Sequence, residues 1–173
     1  MDTDELHVLH LGVSKYLLGS VLWLLCFKIL PANPAGNMEV VWTHIREHYK
    51  AADSRTQYSN LTMSSFIDVL KARTTYPQLK GRGGEVKGLV APVLHAWLTL
   101  VGPERAEYND VRQALQRLLS IQNAVDEHNS ELFLPDEVAR GVAEDTYSFF
   151  LRAYTRLAHA ADERADLIFS LTI

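Results

Sequence analysis

Three side chains near the start of the chain have the types and spacing of metal ligands. Asp4, His7 and His10 follow one another at intervals of three residues. On a helix this spacing places His7 over Asp4 and His10 over His7. Carboxylate oxygens and imidazole nitrogens are ligands for Mg²⁺, Mn²⁺ or Zn²⁺. Spacing alone favours the alternative, which is a solvated polar terminus, over a metal site.

A second candidate metal site is the H-x-x-E-H pattern formed by His44, Glu47 and His48. Two histidines four residues apart share one helix face, where they can bind zinc while the glutamate acts as a general base. The sequence marks no third ligand, and isolated short motifs often match by chance. A polar face on an amphipathic helix is therefore the favoured interpretation, and a metal-dependent peptidase is the distant alternative.

A basic, glycine-rich stretch lies in the middle of the chain. Residues 71–87 contain five cationic residues and a single acidic residue, Glu85. Glycines occupy positions 81, 83 and 84. Free backbone N–H groups just ahead of a helix can hold a phosphate. The stretch matches no nucleotide-binding fingerprint, and a solvated turn is the commoner role of such a cluster. The cations are Lys71, Arg73, Lys80, Arg82 and Lys87; Lys80, Arg82 and Lys87 are the candidate nucleic-acid contacts.

The elements that would position these side chains are helices. Apolar residues recur at helical spacing along the chain, and no alternating strand pattern precedes the last few residues. About six helices with short connections predict an all-α bundle that forms one domain over residues 1–173. The predicted spans are 11–30, 38–51, 62–70, 85–101, a long helix that ends near 129, and a last helix that starts at 134–136.

Four details refine this prediction. Asn37 is the expected N-cap of the second helix. Pro92 should kink or restart the central helix, because proline cannot continue the hydrogen-bond ladder. The last helix should present Phe149 to the core. Residues 166–173 could form a short strand, since they are apolar and partly β-branched.

Composition limits the function classes. The formal net charge is −4, so no global positive field indicates nucleic-acid binding, and any such contact must be local. Cys26 is the only cysteine, which excludes an intrachain disulfide and a cysteine-based metal cluster. A single buried thiol is typical of a reducing compartment, so we expect an intracellular protein, nuclear or cytoplasmic.

The apolar run at residues 16–27 could belong to a core helix or to a membrane segment. It spans 12 residues between Lys15 and Lys28, whereas a membrane-spanning helix needs roughly 20. A signal peptide opens with positive charge, but this chain opens with Asp2, Asp4 and Glu5. We therefore predict a buried core helix and no membrane contact, with a signal anchor as the weaker alternative.

Several phrases of the sequence resemble a known family. Residues 4–12 and 19–22 are similar to the region around the second catalytic aspartate of transposon-encoded proteins with an RNase H-like core, usually worded Asp-Leu-Met-His-x-x-His-Leu-Gly. Similar phrases at 42–45, 58–64, 77–87 and 167–173 extend the resemblance over nearly the whole chain.

The resemblance implies specific roles. In that family three carboxylates bind two divalent metals that activate water or a 3′-hydroxyl for attack on a phosphodiester. Asp4 would be the second carboxylate, His7 a neighbour of the metal site, and the rest the helical insertion before the third carboxylate. The first aspartate would lie upstream of Met1 and the glutamate beyond Ile173. Because the chain would hold only one of the three carboxylates, we expect no catalysis and no cofactor. Mg²⁺ or Mn²⁺ would be required only if the chain were part of a complete catalytic core with all three carboxylates.

Two functional hypotheses follow. The first is a catalytically incomplete helical domain derived from an RNase H-like transposase, with weak DNA contact through Lys80, Arg82 and Lys87. The second is a small all-α interaction subunit that binds a protein partner or a second copy of itself and has no nucleic-acid role. No small-molecule substrate is indicated by the sequence.

Overall fold

The fold is described from a computed structural model, which covers residues 12–52, 56–68, 75–102, 104–128, 130–131 and 133–169. These residues form five helical rods and no strand. The first rod is α1 (Lys15–Leu24), continued by a π-helical turn (Leu25–Ile29); the next three are α2 (Pro34–Ala51), α3 (Gly83–Val101) and α4 (Asn109–Glu127). The fifth is α5 (Asp136–Glu144), a π-helical segment (Asp145–Phe150) and α6 (Leu151–Asp162).

The rod that contains α1 is the central element. Every residue from Leu17 to Leu22 is buried, so neighbours cover all its faces. α2 packs on α3 and on the π-helical turn, α3 packs on α1 and α4, and α4 packs on the fifth rod. Among the described residues Gly12–Ile29 is long and apolar enough to cross a membrane, but 56% of it is buried in this core. Residues Leu17 to Leu22 are buried, as in a core helix, and the choice between a core helix and a signal anchor stays a prediction.

The connection between α1 and α2 is closed by one buried side chain, Asn37, which is 1% exposed. Its amide nitrogen lies 2.8–3.0 Å from the carbonyl oxygens of Cys26, Leu30 and Ala32, and its oxygen accepts from the backbone N–H of Ala32 at 3.0 Å. The amide therefore satisfies carbonyls that a helix end leaves without partners.

The prediction that Asn37 caps α2 was wrong. α2 begins one turn earlier, with Asn33 as N-cap accepting from the N–H of Gly36 at 2.9 Å and Pro34 in the first turn. Proline is tolerated there because its missing N–H would have no partner in any case.

Two further predicted elements differ from the structure. In the span predicted as a short helix, the described residues form only a 3-10 turn, Met63–Ser65. Leu167–Phe169 lie in turns rather than in a strand, because Ala165 takes a left-handed conformation (φ 54°) that reverses the chain after α6. Residues 170–173 are outside the described part.

α3 runs without interruption through Pro92, so the expected restart does not occur. The ring of Pro92 is buried, and the packing of α3 against α1, α2 and α4 holds the helix on both sides of it.

The fifth rod shows why one predicted core residue was wrong. Phe149 is 39% exposed, whereas Phe150 is buried along with Ala153 and Tyr154. A π-helical turn holds one more residue than an α-helical turn, so it rotates the face that follows. The ring of Phe149 lies instead under the guanidinium of Arg117, 4.3 Å from its centroid.

We predict that Asn37→Ala lowers the free energy of unfolding by about 2–3 kcal/mol, because it leaves buried carbonyls unpaired. Asn33→Ala is the matched control, since it removes an exposed cap worth about 1 kcal/mol. Urea denaturation at constant m-value measures both. A loss for Asn37→Ala no greater than that for Asn33→Ala would contradict the role assigned to the buried amide.

We predict that Cys26 is inert in the folded protein. Burial raises the pKa of its thiol from 9.0 to about 12, so its thiolate fraction at pH 8 is lower by roughly a thousandfold than that of a free thiol. Alkylation by iodoacetamide should be slow until guanidinium unfolds the chain.

The same pKa shift destabilises the fold at high pH, because above pH 9 the unfolded thiol ionises while the folded thiol stays protonated. Cys26→Ala should lose that part of the pH dependence. Equal alkylation rates in the native and unfolded states would refute the burial argument.

Candidate nucleic-acid interface

Only some of the site residues predicted from the sequence lie in the described part of the chain. Asp4 and His7, the candidate remnant of a metal site, lie outside the described residues, as do His10, Lys71 and Arg73. Lys80, Arg82 and Lys87 are described. The structure separates Lys87 from the other two.

The Lys80 side chain is exposed, and both its backbone N–H and its backbone carbonyl form hydrogen bonds. Its N–H donates to the carbonyl of Ser65 at 2.7 Å, and its own carbonyl accepts from the Tyr58 hydroxyl at 3.0 Å. The preceding residues dock on α1, where the N–H of Leu79 donates to the carbonyl of Lys15 at 2.9 Å. The Lys80 side chain is therefore an exposed cation on a backbone held by hydrogen bonds.

Gly19 makes that docking possible. A Cβ on Gly19 would lie 2.9 Å from backbone atoms of Pro77 and Gln78, closer than real Cβ contacts allow. The absence of a side chain at this position lets the strand-like segment before Lys80 lie directly on α1.

Arg82 is exposed at the N-terminus of α3. Its backbone N–H donates to a carboxylate oxygen of Glu85 at 2.8 Å, an arrangement that caps the helix and occupies the nearest acidic side chain. Gly83 and Gly84 form the first turn of α3, which begins two residues before the predicted start at Glu85.

Lys87 is engaged elsewhere. Its ammonium group forms an ion pair with Asp126 on α4, and its side chain is only 16% exposed. This pair joins α3 to α4. A paired and largely buried ammonium presents little charge to solvent, so Lys87 is not a candidate for contact with nucleic acid.

A cleft of about 530 Å³ adjoins the Lys80 anchor. Tyr58 belongs to both, since its ring lines the cleft and its hydroxyl holds Lys80. Two cations of α2, Arg46 and Lys50, also line the cleft, and both are exposed. The four cations Arg46, Lys50, Lys80 and Arg82 are called the basic surface below. The other lining residues are Trp42, Tyr49, Gln57 and Ser59.

Aromatic and polar groups give this cleft a defined wall. The guanidinium of Arg46 lies 5.8 Å from the centroid of the Trp42 ring, and Trp42 meets Tyr49 edge-on at 6.4 Å. Burial raises the pKa of Tyr49 to about 12, with Glu85 adding to the shift. Burial also raises the pKa of Tyr58, again with a contribution from Glu85. Both phenols are therefore neutral at physiological pH.

The acidic residues of this region do not cancel the basic surface. Glu85 caps α3. Glu47 is 66% exposed, and one of its oxygens lies 3.8 Å from Nδ1 of His44. Glu47 is the acidic residue of α2 that is closest in sequence to Arg46 and Lys50. The four cations of the basic surface and the two carboxylates Glu47 and Glu85 leave a local excess of two positive charges, on a chain of net charge −4.

The H-x-x-E-H residues are split between two contacts. His44 faces Glu47, while the ring of His48 lies 5.4 Å from that of His95 on α3. Burial, and secondarily His95, lower the pKa of His48. No group of three or more side chains suited to a metal occurs among the residues that the structure describes. The peptidase alternative therefore gains no third ligand from the described part of the chain.

The sequence analysis missed Arg46 and Lys50. They stand four residues apart on α2, a spacing that places both on one face. That signal was present, but only the docking of residues 56–59 beside Lys80 connects the face with the glycine-rich loop.

Comparison of this chain with protein-family models, with curated proteins and with solved structures finds no match.

Proposed function

We propose that this chain is a nucleic-acid-binding helical domain that contacts a phosphodiester backbone through the basic surface. The observation that carries the proposal is the hydrogen bond from Tyr58 to the carbonyl of Lys80. It joins the cationic loop ahead of α3 to the cleft lined by Arg46 and Lys50.

The composition of the surface suits a backbone contact. Arg and Lys side chains neutralise phosphates and release counterions, which supplies most of non-specific affinity. Gln57 and Ser59 at the cleft are exposed donors of the kind that bind phosphate and sugar oxygens. Sequence readout would need a helix or strand in a groove, and nothing in this cleft supports that. We therefore propose binding that depends on charge rather than on sequence.

The resemblance to RNase H-like transposases agrees with this proposal. The phrase at residues 77–87 includes Lys80 and Arg82, and the phrases at 42–45 and 58–64 include Trp42 and Tyr58. Three stretches that carry the resemblance thus contribute to one surface. We propose a domain of that kind, intracellular, which holds DNA without cutting it; a divalent metal would be required only by a complete core.

We predict that the protein binds a labelled 30-base-pair duplex, measured by fluorescence anisotropy, and that log Kd changes with log salt by about 3 to 4, as expected for four phosphate contacts. Changing Arg46, Lys50, Lys80 and Arg82 to glutamine should weaken binding at least tenfold at 50 mM salt and flatten the salt dependence. The same duplex incubated with Mg²⁺ should stay uncut.

The matched control changes four exposed cations elsewhere, Lys28, Arg105, Arg140 and Arg152, to glutamine. It removes the same charge and should retain most of the affinity. Lys87→Gln should also retain it, while lowering stability through loss of the pair with Asp126. Equal affinity of the two four-residue variants, or no binding by the unaltered protein, would refute the proposal.

The second candidate function, an all-α interaction subunit, is favoured by a different observation. Trp23 and Phe27 stack on the outer side of the α1 rod with ring centroids 5.2 Å apart, and Phe27 is 41% exposed. Exposed aromatic pairs are enriched at protein interfaces. A second copy of this chain is the simplest partner for such a patch.

We predict for this candidate that sedimentation velocity shows association with rising protein concentration and that Phe27→Ser abolishes it. Phe133→Ser is the control, because Phe133 is 80% exposed and far from α1 in sequence. A monomer at every concentration would exclude self-association through this patch.

A further inference from the structure

A second cavity, of about 350 Å³, shares no lining residue with the cleft beside the basic surface. It is formed by the end of the α1 rod, the start of α4, α6 and the reversed chain after α6. Its volume is at the small end of ligand sites, which span roughly 300–1,000 Å³. A molecule of the size of one amino acid suits it.

The cavity has an apolar floor that packing fixes in place. Ser20 donates to the carbonyl of Ile168, which holds the reversed chain against α1. Phe169 meets Tyr154 edge-on at 5.9 Å. The apolar lining residues are Leu24, Val111, Leu157, Ala160, Ile168 and Phe169.

Six charged side chains line the same cavity, and four of them neutralise one another. Arg156 donates twice to Asp110, at 2.6 and 3.0 Å, a two-point pair between α6 and α4. Arg164 lies 3.4 Å from Asp166. These pairs leave one cation and one anion of the lining, Lys28 and Glu107.

Lys28 and Glu107 are both exposed and form no ion pair with any residue in the described part of the chain. The Lys28 ammonium instead lies 5.7 Å from the centroid of the Trp23 ring, a weak contact that a carboxylate can replace. Lys28 is on the α1 rod and Glu107 in the 3-10 turn ahead of α4. The two charges therefore come from different elements and line the same cavity.

We propose that this cavity binds a small zwitterion with an apolar side chain, of the chemical class of an apolar α-amino acid. The carboxylate of the ligand pairs with Lys28, its ammonium with Glu107, and its side chain lies on the apolar floor. A ligand with only a carboxylate would pair with Lys28 and leave Glu107 without a partner. A ligand with only an amine would pair with Glu107 and leave Lys28 without a partner. The inference is independent of the proposed nucleic-acid contact, because no residue is shared.

Three probes with one common body test the proposal: L-phenylalanine, 3-phenylpropionate, which lacks the ammonium, and 2-phenylethylamine, which lacks the carboxylate. Isothermal titration calorimetry should give the highest affinity for phenylalanine, with each of the other two weaker by about fivefold or more. Lys28→Gln should remove the preference for phenylalanine over phenylethylamine, and Glu107→Gln the preference over phenylpropionate.

Two variants keep the test specific. Ala160→Leu fills the floor and should abolish binding of all three probes, while Arg140→Gln, outside the cavity, should leave all three affinities unchanged; circular dichroism checks that each variant is folded. Equal affinity for the three probes, or no detectable heat with phenylalanine at 10-fold excess over a protein concentration near the millimolar range, would overturn the proposal.

Discussion

The arrangement of the chain depends on the carboxamide of Asn37. A helix that ends in a π-helical turn leaves several carbonyls without backbone donors, and in a buried position each such carbonyl is costly. One side chain of α2 reaches three of those carbonyls and the N–H of Ala32. It thereby ties the first turn of α2 to the end of the α1 rod, and α2 carries Trp42, Arg46 and Lys50 to the cleft.

The basic surface is built from parts of the chain that are distant in sequence. Gly19 allows the segment before Lys80 to lie on α1, Ser65 and Tyr58 hold the Lys80 backbone, and Glu85 caps the helix that follows Arg82. None of these contacts is strong alone. Together they fix the backbone beneath Lys80 and Arg82, whose side chains remain exposed, an arrangement in which charges can be presented without the cost of burying them.

Periodicity in the sequence was sufficient for the all-α class and for the buried α1 helix, because apolar spacing alone determines which faces must be covered. It was insufficient wherever the backbone departs from 3.6 residues per turn or a polar side chain is buried. The pattern places Phe149 in the core because it carries no mark of the π-helical segment. It places Asn37 at a cap because it carries no mark of the contacts that Asn37 makes with Cys26, Leu30 and Ala32. Lys80 and Arg82 were found as a charge cluster, but the exclusion of Lys87 and the inclusion of Arg46 and Lys50 needed tertiary contacts.

The π-helical segment at Asp145–Phe150 has a consequence for how this chain can vary. Arg117 and Ser120 both donate to the carboxylate of Asp145, so the widened turn is anchored to α4 at its first residue. Loss of one residue downstream of that anchor would convert the turn to ordinary α-helix, and Ala153, Tyr154 and Ala158 would keep nearly the same direction toward the core, because a π-helical turn accommodates one residue more than an α-helical turn. A single-residue deletion is thus better tolerated within Asp145–Phe150 than within α6, where it would rotate the residues that follow by about 100° relative to the core.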